Sequence, residues 1–99
     1  MANYRGKIKP KRRRMEFSFD CPNANAVFLT GDFNEWNIKK HPMKRNDDGL
    51  WGKIIYVFPG RHEYKFWVDG HWQMDPNNDL SCMNCYGTYN NIIVVEPKP

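Results

Sequence analysis

Trp36 stands in the stretch TGDFNEWNIKKHPM, among Asn34, Glu35, Asn37, Lys39 and Lys40, where neither a helical nor a strand period asks for a core residue. A buried indole normally lies in an apolar pattern and finds a partner for its N–H, so an indole in a polar loop calls for a reason. A second one, Trp72, follows Asp69-Gly70 in HEYKFWVDGHWQM, two residues past a turn and close to Lys65. Indole faces carry negative π density, while ammonium and amide groups supply directed hydrogen bonds. Trp72, with its neighbours Trp67 and Lys65, can stack against the C–H-rich face of a pyranose ring and bond its hydroxyls. Bases of single-stranded nucleic acid would also stack on it.

The Asp69-Gly70 pair fixes the local geometry, because a type I′ hairpin turn needs positive φ at both central residues. Pairing outward sets Val68 opposite His71, Trp67 opposite Trp72 and Lys65 opposite Met74, and opposed residues project from one side of a sheet. Lys65, Trp67, Trp72 and Met74 then share a face. Tyr64, Phe66 and Val68 share the other, which is assigned to the core. The first face either covers the end of a small core or forms a stacking platform. In GTYNNIIVV, Thr88 and Asn90 alternate to one side of the last strand. An amide donates and accepts at once, so Asn90 can bridge vicinal hydroxyls or simply mark a strand end.

Catalytic constellations are missing from the pattern. His41, His62 and His71 have no nucleophile partner by local motif, no glycine-rich phosphate loop occurs, and Asp75 and Asp79 read as solvated turn acids rather than a glycosidase pair. Cys82-x-x-Cys85 is half of a zinc site that only Cys21 or a distant histidine would complete. The expectation is a protein that is not an enzyme, with no metal and no other cofactor.

These groups need a rigid scaffold, and the period along the chain supplies one. Met15, Phe17 and Phe19 alternate with Glu16, Ser18 and Asp20, the period of a half-buried strand. AVFLTG, LWGKIIYVF, HEYKFWV, HWQM and TYNNIIVVE follow, separated by Cys-Pro-Asn, Asn-Asp-Asp-Gly, Pro-Gly and Asp-Gly punctuation and by a long polar loop through Asp75-Pro76 and Asn77-Asn78. Six or seven short strands without a sustained helical period predict an all-β fold, an antiparallel β-sandwich of immunoglobulin-like type. A small open barrel is the alternative. Phe33 is expected to anchor the Trp36 loop in the core.

The formal net charge of +4 is unevenly spread over the 99 residues. Residues 1–14 hold seven basic side chains and no acid, so the rest of the chain, with eight basic and eleven acidic groups, carries −3. Residues 1–14 read as a basic, disordered tail, residues 15–96 as the domain and 97–99 as its end. Contact with nucleic acid would have to come from the tail. No apolar run is long enough to span a membrane and no signal-peptide h-region is present, so a cytoplasmic location with reduced thiols is expected and no membrane partner.

Three ordered motifs, VFLTGDFNEW, HEYKFWVDGHWQMDP and GTYNNIIVV, resemble carbohydrate-binding module family 48, and within it the glycogen-binding domain of the AMP-activated protein kinase beta subunit. The resemblance implies a β-sandwich that holds α-1,4-linked glucans (glycogen, starch, maltooligosaccharides) without cleaving them. It implies that Trp36 and Trp72 are the two stacking tryptophans, that Lys65 bonds sugar hydroxyls, and that Thr88 and Asn90 form the polar pair at the end of the site. Tyr86 falls where the kinase subunit has an aliphatic residue that touches sugar, so it either adds a stacking surface or blocks one. Trp67 matches no sugar contact, and the Cys82–Cys85 loop departs from the kinase pattern. The resemblance also permits a regulatory scaffold that docks a kinase or a glucan-metabolising enzyme, with sugar binding lost.

Overall fold

A computed structural model describes residues 11–97. Among the described residues there are eight strands: β1 (Arg13–Asp20), β2 (Val27–Gly31), β3 (Lys44–Arg45), β4 (Leu50–Val57), β5 (Gly60–Val68), β6 (His71–Gln73), β7 (Ser81–Met83) and β8 (Tyr89–Val95), with a 3-10 turn at Asp32–Asn34. They form two antiparallel sheets, β1-β4-β3 and β2-β5-β8-β7, and β6 adds to β5 beyond the end of β8. The architecture is therefore the expected all-β sandwich, with two separate ladders rather than a closed barrel.

Alternation in the sequence becomes the two sides of each sheet. Phe17 and Phe19 of β1 and Trp51, Ile55 and Val57 of β4 face Val27, Leu29, Tyr64, Phe66 and Val68 of the other sheet. Edge-to-face and tilted rings bridge the layers, with Phe17 and Tyr64 centroids 4.9 Å apart and Phe19 and Phe66 4.8 Å apart. The core indole, Trp51, donates its N–H to the Cys21 carbonyl at 2.8 Å.

The Asp69-Gly70 hairpin forms with φ of 48° and 85° at its two central residues, and Val68 pairs with His71 and Trp67 with Trp72. Asp69 also locks the turn to the loop before β2, accepting the N–H groups of Ala26 at 2.8 Å and Asn25 at 3.0 Å. Strand β6 ends at Gln73, so the expected Lys65–Met74 pair falls outside the ladder.

Two strands lie where the sequence shows none. β3 has two residues and β7 three, too short for alternation to register, and β7 falls inside the stretch read as a long polar loop. That loop is held by side chains: Asn91 accepts from the Asp75 amide at 2.6 Å, and the Tyr64 hydroxyl donates to Asp75 Oδ2 at 2.7 Å. At the other end, β1 begins at Arg13, paired with Val57, two residues inside the segment read as tail. The tail reading for residues 1–10 lies outside the described residues.

Between β2 and β4 the chain changes sheets. Leu29 donates to His41 O at 2.9 Å and Met43 to Val27 O at 2.8 Å, so residues 41–43 belong beside β2, yet Lys44 and Arg45 pair with Gly52 and Trp51 of β4.

Candidate functional site

The loop after β2 is built to present an indole. Asn34 is buried; its Oδ1 accepts from Gly31 N at 3.1 Å, and its Nδ2 donates to Leu29 O at 3.0 Å and to His41 Nδ1 at 2.8 Å. Burial, aided by Lys53 and Lys40, pushes the His41 pKa below the usual histidine value, consistent with a neutral ring that accepts at Nδ1. The turn closes with Trp36 N donating to Gly31 O at 2.9 Å and Glu35 N to Asp32 O at 3.4 Å, the pairing of a Schellman motif. Glu35 and Trp36 both take left-handed backbone conformations, φ 57° and 58°. For residues with a Cβ this costs about 1–2 kcal/mol each. Phe33, packed against the core with its ring 6.0 Å from Phe17, anchors the turn as expected. Trp36 is left half-buried at the surface.

Trp72 meets it from the β5–β6 hairpin. The two indoles stand edge to face, centroids 6.3 Å apart, and Trp72 packs in the same manner on Trp67 at 4.8 Å. Trp67 is thus the buttress behind Trp72. Lys65 Nζ lies 5.9 Å from the Trp72 ring centroid and donates to Thr88 Oγ1 at 3.3 Å. Although its strand face is the outward one, Lys65 is only 7% exposed. Loss of surrounding water lowers its pKa below the ordinary lysine value.

All six residues singled out by sequence, Trp36, Lys65, Trp72, Tyr86, Thr88 and Asn90, line one groove of about 750 Å³. Tyr86 is almost fully exposed at the rim, on the turn between β7 and β8. Among the described residues, no cluster of three or more His, Cys, Asp or Glu side chains is placed to hold a metal ion, and Cys21, Cys82 and Cys85 are free thiols.

A family model describing the glycogen recognition site of AMP-activated protein kinase matches residues 14–99. The chain belongs to this glycogen-recognition family. The human 5'-AMP-activated protein kinase subunit beta-2 is 39% identical over 73 residues, covering 74% of this chain and 26% of the subunit. Protein PTST homolog 2 of Arabidopsis thaliana, a chloroplastic protein, is 35% identical over 100 residues, 89% of this chain and 18% of its own length. A 1,4-alpha-glucan branching enzyme of Photobacterium profundum shares 51% identity over 46 residues, 46% of this chain and 6% of the enzyme. The chain thus spans about a quarter or less of these relatives' lengths.

The groove of this family member includes residues the sequence did not single out. Asn84 is the chief one: its Nδ2 donates to Thr88 Oγ1 at 2.7 Å and Asn90 Oδ1 at 3.0 Å, while its Oδ1 accepts from the Tyr86 and Thr88 amides. It thereby sets the positions of three of the six. Nothing in SCMNCYGTYNN marks it, because the bonds exist only once the β7–β8 turn has closed. Glu63 accepts from Asn90 Nδ2 at 3.0 Å and pairs with Arg61 at 2.8 Å. Those bonds, the Asn90 one first, hold its carboxyl below the usual glutamate range. Glu63 was findable, since it alternates with Lys65 on the outward face of HEYKFWV. Asp32, also in the lining, is engaged by His62 Nδ1 at 2.9 Å and by the Glu63 amide at 2.9 Å.

Proposed function

We propose that this module binds α-1,4-linked glucans, such as glycogen, starch chains or maltooligosaccharides, without cleaving them. The observation that carries the reading is the meeting of two indoles from distant loops with a nearly buried lysine and an amide in one groove. Trp36 and Trp72, about perpendicular at 76°, offer two surfaces to successive glucose units of a curved chain. Lys65, Thr88 and Asn90 bond hydroxyls, and Tyr86 extends the apolar rim. Membership of a glycogen-recognition family supports the same ligand class.

Binding rather than hydrolysis fits the acids in the groove. A glycosidase needs one carboxyl that keeps a proton to give to the leaving group. Glu63 is held ionised by Asn90 and Arg61, and Asp32 is spent on His62 and the Glu63 backbone.

If each indole covers roughly 100 Å² of sugar, burial at about 25 cal/mol/Å² contributes about 2.5 kcal/mol per ring before the cost of association. Micromolar to millimolar affinity is the result. Isothermal titration of maltoheptaose into wild type and Trp72→Ala tests this: wild type should bind and the variant should lose about fiftyfold or more. Absence of heat for wild type would sink the proposal.

A further inference from the structure

The β1-β4-β3 sheet has an open side. Because residues 41–43 stay with β2 and join β4 only at Lys44, strand β3 covers β4 at Trp51 and Gly52, and among the described residues nothing pairs this edge further along. Leu50 O accepts from Asn46 N on that side. Backbone groups alternate along an antiparallel strand, so Ile54 and Tyr56 also turn their N–H and C=O groups toward the open edge. A second groove, of about 510 Å³, follows it, lined by residues 53–58 of the β4 side and by Lys40 and His41 across from them. It shares no lining residue with the Trp36–Trp72 groove.

Several features select an occupant. The lining carries Arg12, Lys40 and Lys53 and no carboxylate. On the outer face above it, Ile54, Tyr56 and Phe58 are exposed, Arg14 stands opposite Tyr56, and the Arg12 guanidinium lies 4.8 Å from the Phe58 ring centroid. Glu16 faces Ile54 from β1 but does not line the groove. An unpaired edge with apolar side chains is a template for one more strand. Lys53 shares the inward face of β4 with Trp51, Ile55 and Val57, and an inward-turned charge of this kind discourages a second copy from pairing there. Residues 1–10 carry Arg5, Lys7 and Lys9 and no acid, so charge disfavours them as occupants too.

We infer that the β4 edge from Ile54 to Phe58 docks an extended acidic segment of a partner protein, which adds as a strand on the backbone of Ile54 and Tyr56 and sets carboxylates against Arg12, Lys40 and Lys53. Glucan binding does not require it, and its failure would leave the Trp36–Trp72 groove untouched.

The test uses the full chain, ¹⁵N-labelled, with a capped octapeptide of alternating glutamate and valine and a lysine–valine counterpart as probes. At millimolar concentration the glutamate peptide should slow hydrogen exchange at the Ile54 and Tyr56 amides, and the lysine peptide should not. Lys40→Gln combined with Lys53→Gln, which leaves burial to keep His41 neutral, should weaken the glutamate peptide by about threefold or more and leave maltoheptaose affinity unchanged. N-methylating alternate peptide amides should abolish binding, because strand addition needs those donors. Equal binding of both peptides, persistence of binding after N-methylation, or shifts that bypass Ile54 and Tyr56 would overturn the proposal. So would self-association, seen by sedimentation without peptide, that protects those same amides, since it would assign the edge to a second copy.

Discussion

Replacing Lys65 with methionine should make the domain more stable and a poorer glucan binder. The residue is 7% exposed, and its ammonium has one long hydrogen bond among the described residues, 3.3 Å to Thr88 Oγ1, and sits 5.9 Å from the Trp72 centroid, near the limit of a useful cation–π contact. Methionine has similar length without the charge. Exchanging a poorly compensated buried charge for an apolar residue of similar volume typically stabilises by about 1 kcal/mol or more. In a domain of this size about 1 kcal/mol raises Tm by roughly 4–8 °C. The same variant loses a charge-assisted bond to a sugar hydroxyl, about 1.5–3 kcal/mol or roughly 10- to 150-fold in Kd. The sign with pH follows from burial. The folded pKa lies below the 10.5 of an ordinary lysine, so the unfolded chain holds this proton more tightly. Wild type therefore gains stability as pH rises from the lowered folded value toward 10.5, and the advantage of methionine narrows across that alkaline window. Scanning calorimetry against pH and titration with maltoheptaose measure both effects. A variant less stable than wild type at neutral pH would show that the ammonium holds the fold together, and unchanged affinity would remove Lys65 from the binding reaction.

Other substitutions test the scaffold. Thr30 is buried opposite Lys65 with a hydroxyl that has no partner among the described residues, so Thr30→Val should raise stability by about 1 kcal/mol in chemical denaturation. Asn34→Ala removes the bonds to Gly31, Leu29 and His41; it should cost about 2 kcal/mol and weaken maltoheptaose binding, with a changed Trp36 emission as the sign of a displaced loop. Gly49 has φ +85° and a Cβ there would come within 2.6 Å of the Pro22 Cβ, so Gly49→Ala should lose about 2–3 kcal/mol by urea denaturation while sparing affinity per folded molecule.

Local chemistry was the readable part of this sequence. The Asp69-Gly70 turn dictated a register that put Trp67 against Trp72, and alternation separated Tyr64, Phe66 and Val68 from Lys65. The strands β3 and β7 were hidden because two or three residues carry no period. Alternation puts Lys65 on the outward face but does not show its burial, since the cover arrives from Thr88, 23 residues away. Asn84 leaves no mark in the sequence for a related reason: its role exists only in a closed turn. The chain's crossing between sheets at Met43 and Lys44 left no mark in the composition, so the second groove it opens was also unreadable.

The three-indole stack also gives the domain a built-in optical signal. Trp36, Trp72 and Trp67 lie edge to face at 6.3 and 4.8 Å, close enough for their electronic transitions to couple, whereas Trp51 is buried in the core with its N–H on Cys21. Coupled indoles give paired bands of opposite sign in far-ultraviolet circular dichroism, and the intensity depends on the angle between the rings. Anything that enters between Trp36 and Trp72 alters that angle. Occupancy of the groove is thus written into the chain's own absorption, and no label is needed to read it.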